Sequence, residues 1–282
     1  MPRPLVSFDL DGVLIQNPFR DCVVPRLRKA VRSAPALRAL PPAEADRRMA
    51  DEVRRVWGEL QRAGEWVRGY DWDHVYARAA ERLGVTDPLP PVGPLVTACC
   101  DAREGIHLFP EAGEGLALLA DAGVRLVAVT NNFSTLQAPV LDALGVLDRF
   151  EAVLGPDVLG TAKPDPAVFA GLGPVAAHVG DTLSTDVAAA RAAGVPSVWI
   201  ARGEERRAEL ARRPRHDLEV HEWRAAWDED PYRGLYPDLP DEAGRADGVA
   251  LTPLAAARLI LSWLDGYGGM GDGNGEAPPQ RR

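Results

Sequence analysis

The sequence is short of lysine, cysteine and long apolar runs, and each shortage excludes something. The 41 acidic residues outnumber the 32 basic ones, giving a formal net charge of −9. A chain this acidic lacks the basic footprint of a nucleic-acid or anionic-membrane binder. The longest apolar runs, Val124–Thr130 and Ile260–Leu264, fall far short of the roughly 20 residues a spanning helix needs. The opening residues, MPRPLVSFDLDG, reach two aspartates before an apolar signal region could form. Cys22 stands alone and Cys99 and Cys100 are adjacent, which is neither a disulfide framework nor a zinc spacing, so a reducing, cytoplasmic setting is expected. What remains is ordinary for a packed protein: 46% hydrophobic and 26% charged residues in a chain of 282, enough for two domains.

Apolar runs at Leu5–Asp9, Val124–Thr130, Ala152–Leu154, Val175–Asp181 and Val195–Ile200 each precede a turn and a helical pattern. The helices are expected at Glu111–Ala122, Thr135–Leu144, Pro166–Leu172 and Thr185–Ala193, with Gly123, Gly145 and Gly194 as stops. Strands apolar on both faces and alternating with helices predict an α/β domain with a doubly wound, parallel, Rossmann-like sheet. Between Phe19 and Glu104 the pattern is helical only, at Asp21–Val31, Ala43–Gln61 and Trp72–Leu83, with Pro35, Pro41–Pro42 and Pro88–Pro94 as breakers. This stretch exceeds what one crossover needs. It is read as an inserted all-helical cap domain, the alternative being helices that cover one sheet face. The expected division is residues 1–18 and 105–227 for the core and 19–104 for the cap. Residues 228–265 then form an extension with one helix, opening at Thr252-Pro253, and 266–282 a flexible tail. Asp217–Val220 is expected as an edge strand and Trp223–Trp227 as a core closure. Gly266, Gly268 and Gly271 match G-x-G-x-x-G but follow a helix, which rules out a dinucleotide fingerprint.

An open parallel sheet binds ligands at the carboxyl ends of its strands. Those ends carry Asp9 and Asp11, then Thr130, Asn131 and Asn132, then Asp181, with Lys163 in an adjoining loop. Of 32 basic residues only Lys29 and Lys163 are lysines; a lysine kept at this edge marks a place where arginine's broad fork does not substitute. Pro164 keeps Lys163 out of the helical region, and Asp165-Pro166 reads as a cap and first residue. The pattern D-x-D occurs at Asp9/Asp11, Asp71/Asp73 and Asp228/Asp230. Only the first follows an apolar strand and precedes a glycine, Gly12, whose turn would bring backbone N–H groups against an anion. The other two pairs are read as solvated. Asp186 opens a helix, where an acid suits the dipole, so a structural role there and a supporting role behind the site stand side by side. Converging carboxylates repel unless a cation lies between them, and oxygen-only ligands suit Mg²⁺. Magnesium, lysine and a threonine hydroxyl together would neutralise a phosphoryl group, leaving one carboxylate as nucleophile and another as acid and base.

FDLDGVL (Phe8–Leu14), VTNN (Val129–Asn132), AKPDP (Ala162–Pro166) and VGDTLSTD (Val179–Asp186) resemble, in order and spacing, the four motifs of the haloacid dehalogenase-like hydrolase superfamily. The insertion after the first motif resembles the small cap of its phosphatases. The resemblance spans about Pro4–Trp227. It implies Asp9 as nucleophile and magnesium ligand. It implies Asp11 as acid/base, with its carbonyl on the metal, and Thr130 with Asn131 at the phosphoryl group. Lys163 would stabilise the phosphoenzyme and Asp181 would hold Mg²⁺. Gly12, Asn131 and Asn132 are expected to contact substrate.

The acid at Asp11 favours an oxygen leaving group over the halide of the founding activity, so a phosphatase for a small phosphorylated metabolite is expected, with no nucleic-acid or membrane partner. A phosphosugar mutase and a non-catalytic binding protein are the rivals. Trp57, Trp66, Tyr70, Trp72 and Tyr76 are read first as the cap's own core and second as a pocket for an apolar or ring-bearing group. Arg20 and Arg26 are candidates for a second anion, exposure being their default. His178 is expected to be packed inside its strand.

Overall fold

The computed structural model describes residues 3–201 and 226–268. Eight strands form: β1 (Leu5–Phe8), β2 (Ile15–Gln16), β3 (His107–Leu108), β4 (Arg125–Val129), β5 (Ala152–Leu154), β6 (Val175–Gly180), β7 (Ser197–Ile200) and β8 (Gly248–Ala250). Six of them pair in the order β5-β4-β1-β6-β7-β8, every pairing parallel. From β1 the chain builds outward to β4 and β5, then crosses back to β6, β7 and β8. The strand order therefore reverses around β1, and a crevice opens at the carboxyl ends of β1, β4 and β6.

Alternation along each strand serves two faces. Val6, Phe8, Leu126, Ala128, Ala177 and Val179 enter one apolar cluster with Leu116, Leu119, Val140 and Leu141. These last come from helices α6 (Ala112–Asp121) and α7 (Ser134–Ala143). Leu5, Val127 and Val129 face the other way, onto Val168, Phe169, Ala189 and Ala190. The helix expected over Pro166–Leu172 is a single tight turn, Pro166–Phe169, because Gly171 and Gly173 take positive φ directly after it. Past the single-turn α8 (Pro156–Leu159), Thr185–Ala193 resolves into a wide turn, Leu183–Val187, that runs into α9 (Ala188–Ala192).

The stretch from Phe19 to Glu104 is helical as expected, opening on a wide turn, Phe19–Val23. Its helices are α1 (Val24–Ser33), α2 (Pro42–Arg62), α3 (Trp66–Tyr70), α4 (Trp72–Arg82) and α5 (Val92–Asp101). α3 and α5 were not expected from the pattern. Pro94, read as a breaker, lies in the first turn of α5, where a missing N–H costs nothing. The chain enters and leaves this stretch through the antiparallel β2–β3 pair. Asp71 and Asp73 are not idle surface acids. Asp71 caps α4 by accepting from the His74 N–H at 3.0 Å, and Asp73 accepts from Val92 N at 2.8 Å where α5 begins. The cysteine reading also needs correction. Cys22 and Cys99 form a disulfide, their Cα atoms 6.1 Å apart at a sequence separation of 77, while Cys100 is free and buried. That pairing removes the argument for a reducing compartment.

The edge strand is β8, too short to stand out, and Asp247 fastens it by accepting from the Ser197 N–H at 2.9 Å. The expected strand Asp217–Val220 and Trp223 lie outside the described residues, as does the tail beyond Gly268. The last helix, α10 (Pro253–Gly268), reaches three residues into that expected tail. It buries Pro253, Ala256, Ala257 and Ile260. Trp227 is fully buried and does close the core. Its ring lies so near Gly244 that a Cβ there would fall 2.0 Å from it. Gly244→Val is therefore expected to destabilise the protein by about 1–3 kcal/mol through overpacking. Urea unfolding checks this, and an unchanged midpoint would refute the contact. Among the described residues no helix is long and apolar enough to cross a membrane.

Candidate active site

Each polar side chain expected at the sheet edge arrives there by a separate route. Asp9 follows β1, Thr130 follows β4, Asp181 follows β6, and Lys163 comes from the loop before the Pro166 turn. Lys163 is the hub. Its ammonium has three protons and three acceptors: Asp9 Oδ1 at 2.8 Å, the Val129 carbonyl at 2.7 Å and Asp186 Oδ1 at 2.6 Å. The residue is 1% exposed. The loop is held by Asn131, whose side chain accepts from the Lys163 N–H and donates to its carbonyl, both at 2.8 Å. Asp165 caps the following turn as expected, accepting from Ala167 N at 2.9 Å.

Asp9, Asp181 and Asp186 each offer a carboxylate oxygen within 4.8 Å of the others. Gly12, at φ +81°, makes the approach possible, since a Cβ there would stand 2.0 Å from Asp181 Oδ2. Gly12 was expected to supply a turn that brings backbone N–H groups against an anion; its own N–H donates to the Ile15 carbonyl at 3.1 Å, and its lack of a side chain makes room for Asp181. Burial would raise the Asp186 carboxyl, but Lys163 and His178 overcome that and hold it below the usual carboxylate range. Asp9 is pushed up by burial, with Lys163 opposing and Asp186 and Asp181 adding to the push. Three carboxylates gathered at one ammonium outnumber it and repel one another. An oxygen-only donor set with that excess fits a hard divalent cation. Asp9 and Asp181 are the side chains suited to hold it, because Asp186 spends Oδ1 on Lys163 and His178 and Oδ2 on the Thr182 N–H.

Asp11 is half-buried, its oxygens accepting from Asn17 Nδ2 at 2.6 Å and from Gln137 Nε2. Burial outweighs these bonds and pushes its carboxyl up to about 6 from an ordinary 3.8. Thr130 Oγ1 accepts from the Asn132 N–H at 3.1 Å, which leaves its own proton to donate. The two asparagines line the cavity but are already engaged. Asn131 Nδ2 also donates to Tyr70 OH at 2.9 Å, and Asn132 Oδ1 accepts from Trp72 Nε1 at 3.2 Å. Their amides brace the Lys163 loop and the helical stretch while both residues line the cavity.

Several contributors escaped the sequence reading. His178 is packed, as expected, against the Phe169 ring at 5.2 Å, but it also works. Burial keeps it neutral, so Nδ1 accepts from the Ser7 hydroxyl at 2.9 Å and Nε2–H donates to Asp186 at 3.3 Å. Gln137 stands on the buried face of α7 with Leu136, Val140 and Leu141, and an amide in an apolar stripe was its signal. Asp230, read as solvated, accepts from Ser184 N at 3.0 Å and Ser184 Oγ at 2.5 Å. Trp57, Tyr70, Trp72 and Tyr76 satisfy both expectations: Tyr76 sits in the buried core with Trp57 and Trp72 packed on it, and all four line the same 750 Å³ cavity as the carboxylates, where Tyr232 joins them. Trp66 instead stacks on Tyr236. Of the two arginines considered, Arg20 lines the cavity, whereas Arg26 is taken by Glu104 at 2.8 Å.

A six-stranded parallel sheet with acids and a lysine gathered at its switch point defines an α/β enzyme. The family follows from comparison. The model of the haloacid dehalogenase-like hydrolases matches residues 4–194, and the chain belongs to that family. It is 33% identical over 209 residues to the phosphoglycolate phosphatase of Caulobacter vibrioides, covering 70% of this chain and 79% of that one. The crystal structure of the HAD phosphatase from Thermococcus onnurineus matches with a TM-score of 0.62 at 21% identity, over 91% of this chain and 97% of that one. An L-2-haloacid dehalogenase from Xanthobacter autotrophicus shares the fold at TM-score 0.52 and 21% identity, over 95% and 100% of the two chains.

The raised Asp11 carboxyl yields a prediction about stability. The folded state keeps this proton up to about pH 6 and the unfolded chain only to about 3.8. Its contribution is therefore full below 3.8 and is lost as pH rises through 6. Asp11→Asn removes that loss, so without added metal the Tm of the variant minus that of the parent should be larger at pH 8 than at pH 4. A pH-independent difference would contradict the assignment.

Proposed function

We propose that this enzyme is a Mg²⁺-dependent phosphatase that hydrolyses a small phosphate monoester through an aspartyl-phosphate on Asp9. The observation that carries the reading is the pair of carboxylates two positions apart with opposite surroundings. Asp9 is locked to a buried ammonium at 2.8 Å, whereas Asp11 has no charge partner at that distance and titrates near neutrality, at about 6. A nucleophile must be ionised, which for Asp9 the Lys163 ammonium favours against the push of burial and which a bound cation would complete, and an acid that later acts as base must exchange its proton at working pH. The phosphatase activity of relatives such as that from Caulobacter vibrioides supports the same reading.

In this mechanism the Asp9 carboxylate attacks phosphorus while the phosphorus–oxygen bond to the alcohol breaks. The Asp11 carboxyl hands its proton to the departing alkoxide. The Thr130 hydroxyl donates to a non-bridging oxygen, and the Lys163 ammonium, its protons held by Asp9, Asp186 and the Val129 carbonyl, stabilises the shifting charge through Asp9. Asp11, now a carboxylate, takes a proton from water, whose oxygen attacks the phosphorus. The bond to Asp9 breaks, phosphate leaves, and both carboxyls are restored. A magnesium ion held by Asp9, Asp181 and the Asp11 carbonyl would neutralise phosphoryl charge. The His178–Asp186–Lys163 chain keeps the ammonium aimed at Asp9. The helical stretch reached through β2 and β3 serves as the cap, with Tyr70 and Trp72 closing onto Asn131 and Asn132.

Asp9→Asn should remove turnover of p-nitrophenyl phosphate with an unchanged far-UV circular dichroism spectrum, and retained hydrolysis would refute the nucleophile. Asp11→Asn should release one equivalent of nitrophenolate per enzyme and then stall, because this leaving group needs no proton while the second step still needs a base. Rapid-mixing absorbance reads the burst, and steady turnover at the parent rate would refute the acid/base role. Chelation should abolish activity of the parent and added Mg²⁺ restore it; activity that survives the chelator would remove the metal from the scheme.

A further inference from the structure

The phosphoryl chemistry uses only one end of the cavity. The rest of the 750 Å³ is walled by aromatic rings and arginines, a volume that holds a ligand of drug size. Resting on the phosphatase reading above, we propose that the alcohol of the substrate carries a planar ring bearing an anionic or strongly accepting substituent, and that Tyr232 and Trp57 select it.

The rings form two groups, each tied to the reacting end. Phe19, Trp72 and Tyr76 follow one another at 5.7 and 6.5 Å between centroids, and Trp72 is bonded to Asn132. Trp57 meets Tyr70 at 6.3 Å and Tyr232 at 5.7 Å, and Tyr70 is bonded to Asn131. Because both asparagines directly follow Thr130, the rings stand at a fixed distance from the phosphoryl position. Flat, rigid surfaces of this kind gain from stacking on another ring.

Other leaving groups fit less well. The two-carbon acid of phosphoglycolate would leave most of these rings facing water. A quaternary ammonium would suit the rings alone, but Arg20, Arg28 and Arg54 line the same cavity and would repel it. Arg20 pairs with Asp21 and Arg54 with Asp51. Arg28 is half-buried and has no carboxylate partner among the described residues, so it is placed to receive a substituent of the ring.

The selecting device lies outside the residues that the family model matches. Tyr232 lies beyond the family match, which ends at residue 194. It is positioned by Asp230, whose Oδ1 accepts from the Tyr232 N–H at 3.0 Å while the same carboxylate grips Ser184. At 38% exposure Tyr232 is one of only two large apolar side chains among the described residues that stand open to solvent.

The test compares esters of equal leaving ability with Mg²⁺ present: uridine and guanosine 5′-monophosphate and pyridoxal 5′-phosphate against ribose 5-phosphate and phosphoglycolate. Ring-bearing esters should show kcat/KM at least about tenfold higher, the worth of a ring stack. Tyr232→Ala and Trp57→Ala should each lower the ratio for guanosine 5′-monophosphate over ribose 5-phosphate by about tenfold, mainly through KM. Trp66→Leu, outside the cavity, should leave the ratio unchanged. Preference for ribose 5-phosphate or phosphoglycolate, or a ratio indifferent to Tyr232→Ala, would overturn the ring assignment and leave the phosphatase standing. If none of these esters nor p-nitrophenyl phosphate is hydrolysed, the phosphatase reading falls. Calorimetric titration of Asp9→Asn then decides the ring assignment: tighter binding of guanosine 5′-monophosphate than of ribose 5-phosphate upholds it, and equal binding overturns it.

Discussion

The site depends on one buried ammonium. Lys163 stands where β1, β4 and β6 end, and its three protons are spent on two carboxylates and a carbonyl. A charge this deep is tolerable only when fully paired, so the partners cannot be moved singly. The requirement explains much of the surrounding polar network. Asn131 clamps the lysine backbone, His178 and Ser7 orient Asp186, and the Thr182 N–H holds the other oxygen of Asp186. Arginine could not take this place, because a planar fork cannot direct three donors to points around one nitrogen.

The same pairing accounts for the division between the two neighbouring aspartates. Asp9 lies beside the ammonium and within reach of two other carboxylates, so its state depends on whatever cation the cluster holds. Asp11, two positions on, is turned toward Asn17 and Gln137, and neutral amides leave its proton free to come and go. Gly12 then permits Asp181 to close in. A stretch of four residues thus sets the chemical difference on which the proposed cycle runs.

The sheet and the charged core of the site were legible because their signals are local. Strand ends, a scarce lysine and the Asp-Pro cap each show in a few adjacent letters, and the helical stretch shows as missing strands. What was hidden depends on distance. Cys22 and Cys99 meet across 77 positions, which no spacing rule anticipates. Asn131 and Gly12 line the cavity as their place at the strand ends suggests, but the further partners that packing gives them, the lysine loop for one amide and Ile15 for the Gly12 N–H, lie far off in the sequence or within the turn itself. His178 reads as core because it is core; its hydrogen bonds become visible only once β1 and β6 are adjacent. The aromatic residues of the helical stretch carry no letter code for inside or outside, and only the placement of α2, α3 and α4 shows that four of the five face the carboxylates' cavity.

The grip of Asp230 on Ser184 joins two regions that the sequence keeps far apart. Ser184 belongs to the wide turn that begins two residues after Asp181 and ends just past Asp186, so the tether that seats Tyr232 is also a strut of the charged cluster. Force applied at the mouth of the cavity is transmitted along a handful of covalent bonds to the acids at its floor. A molecule lodged against Tyr232 would thereby stiffen the very loop that must hold still while phosphorus changes hands, and an ill-fitting one would leave it slack.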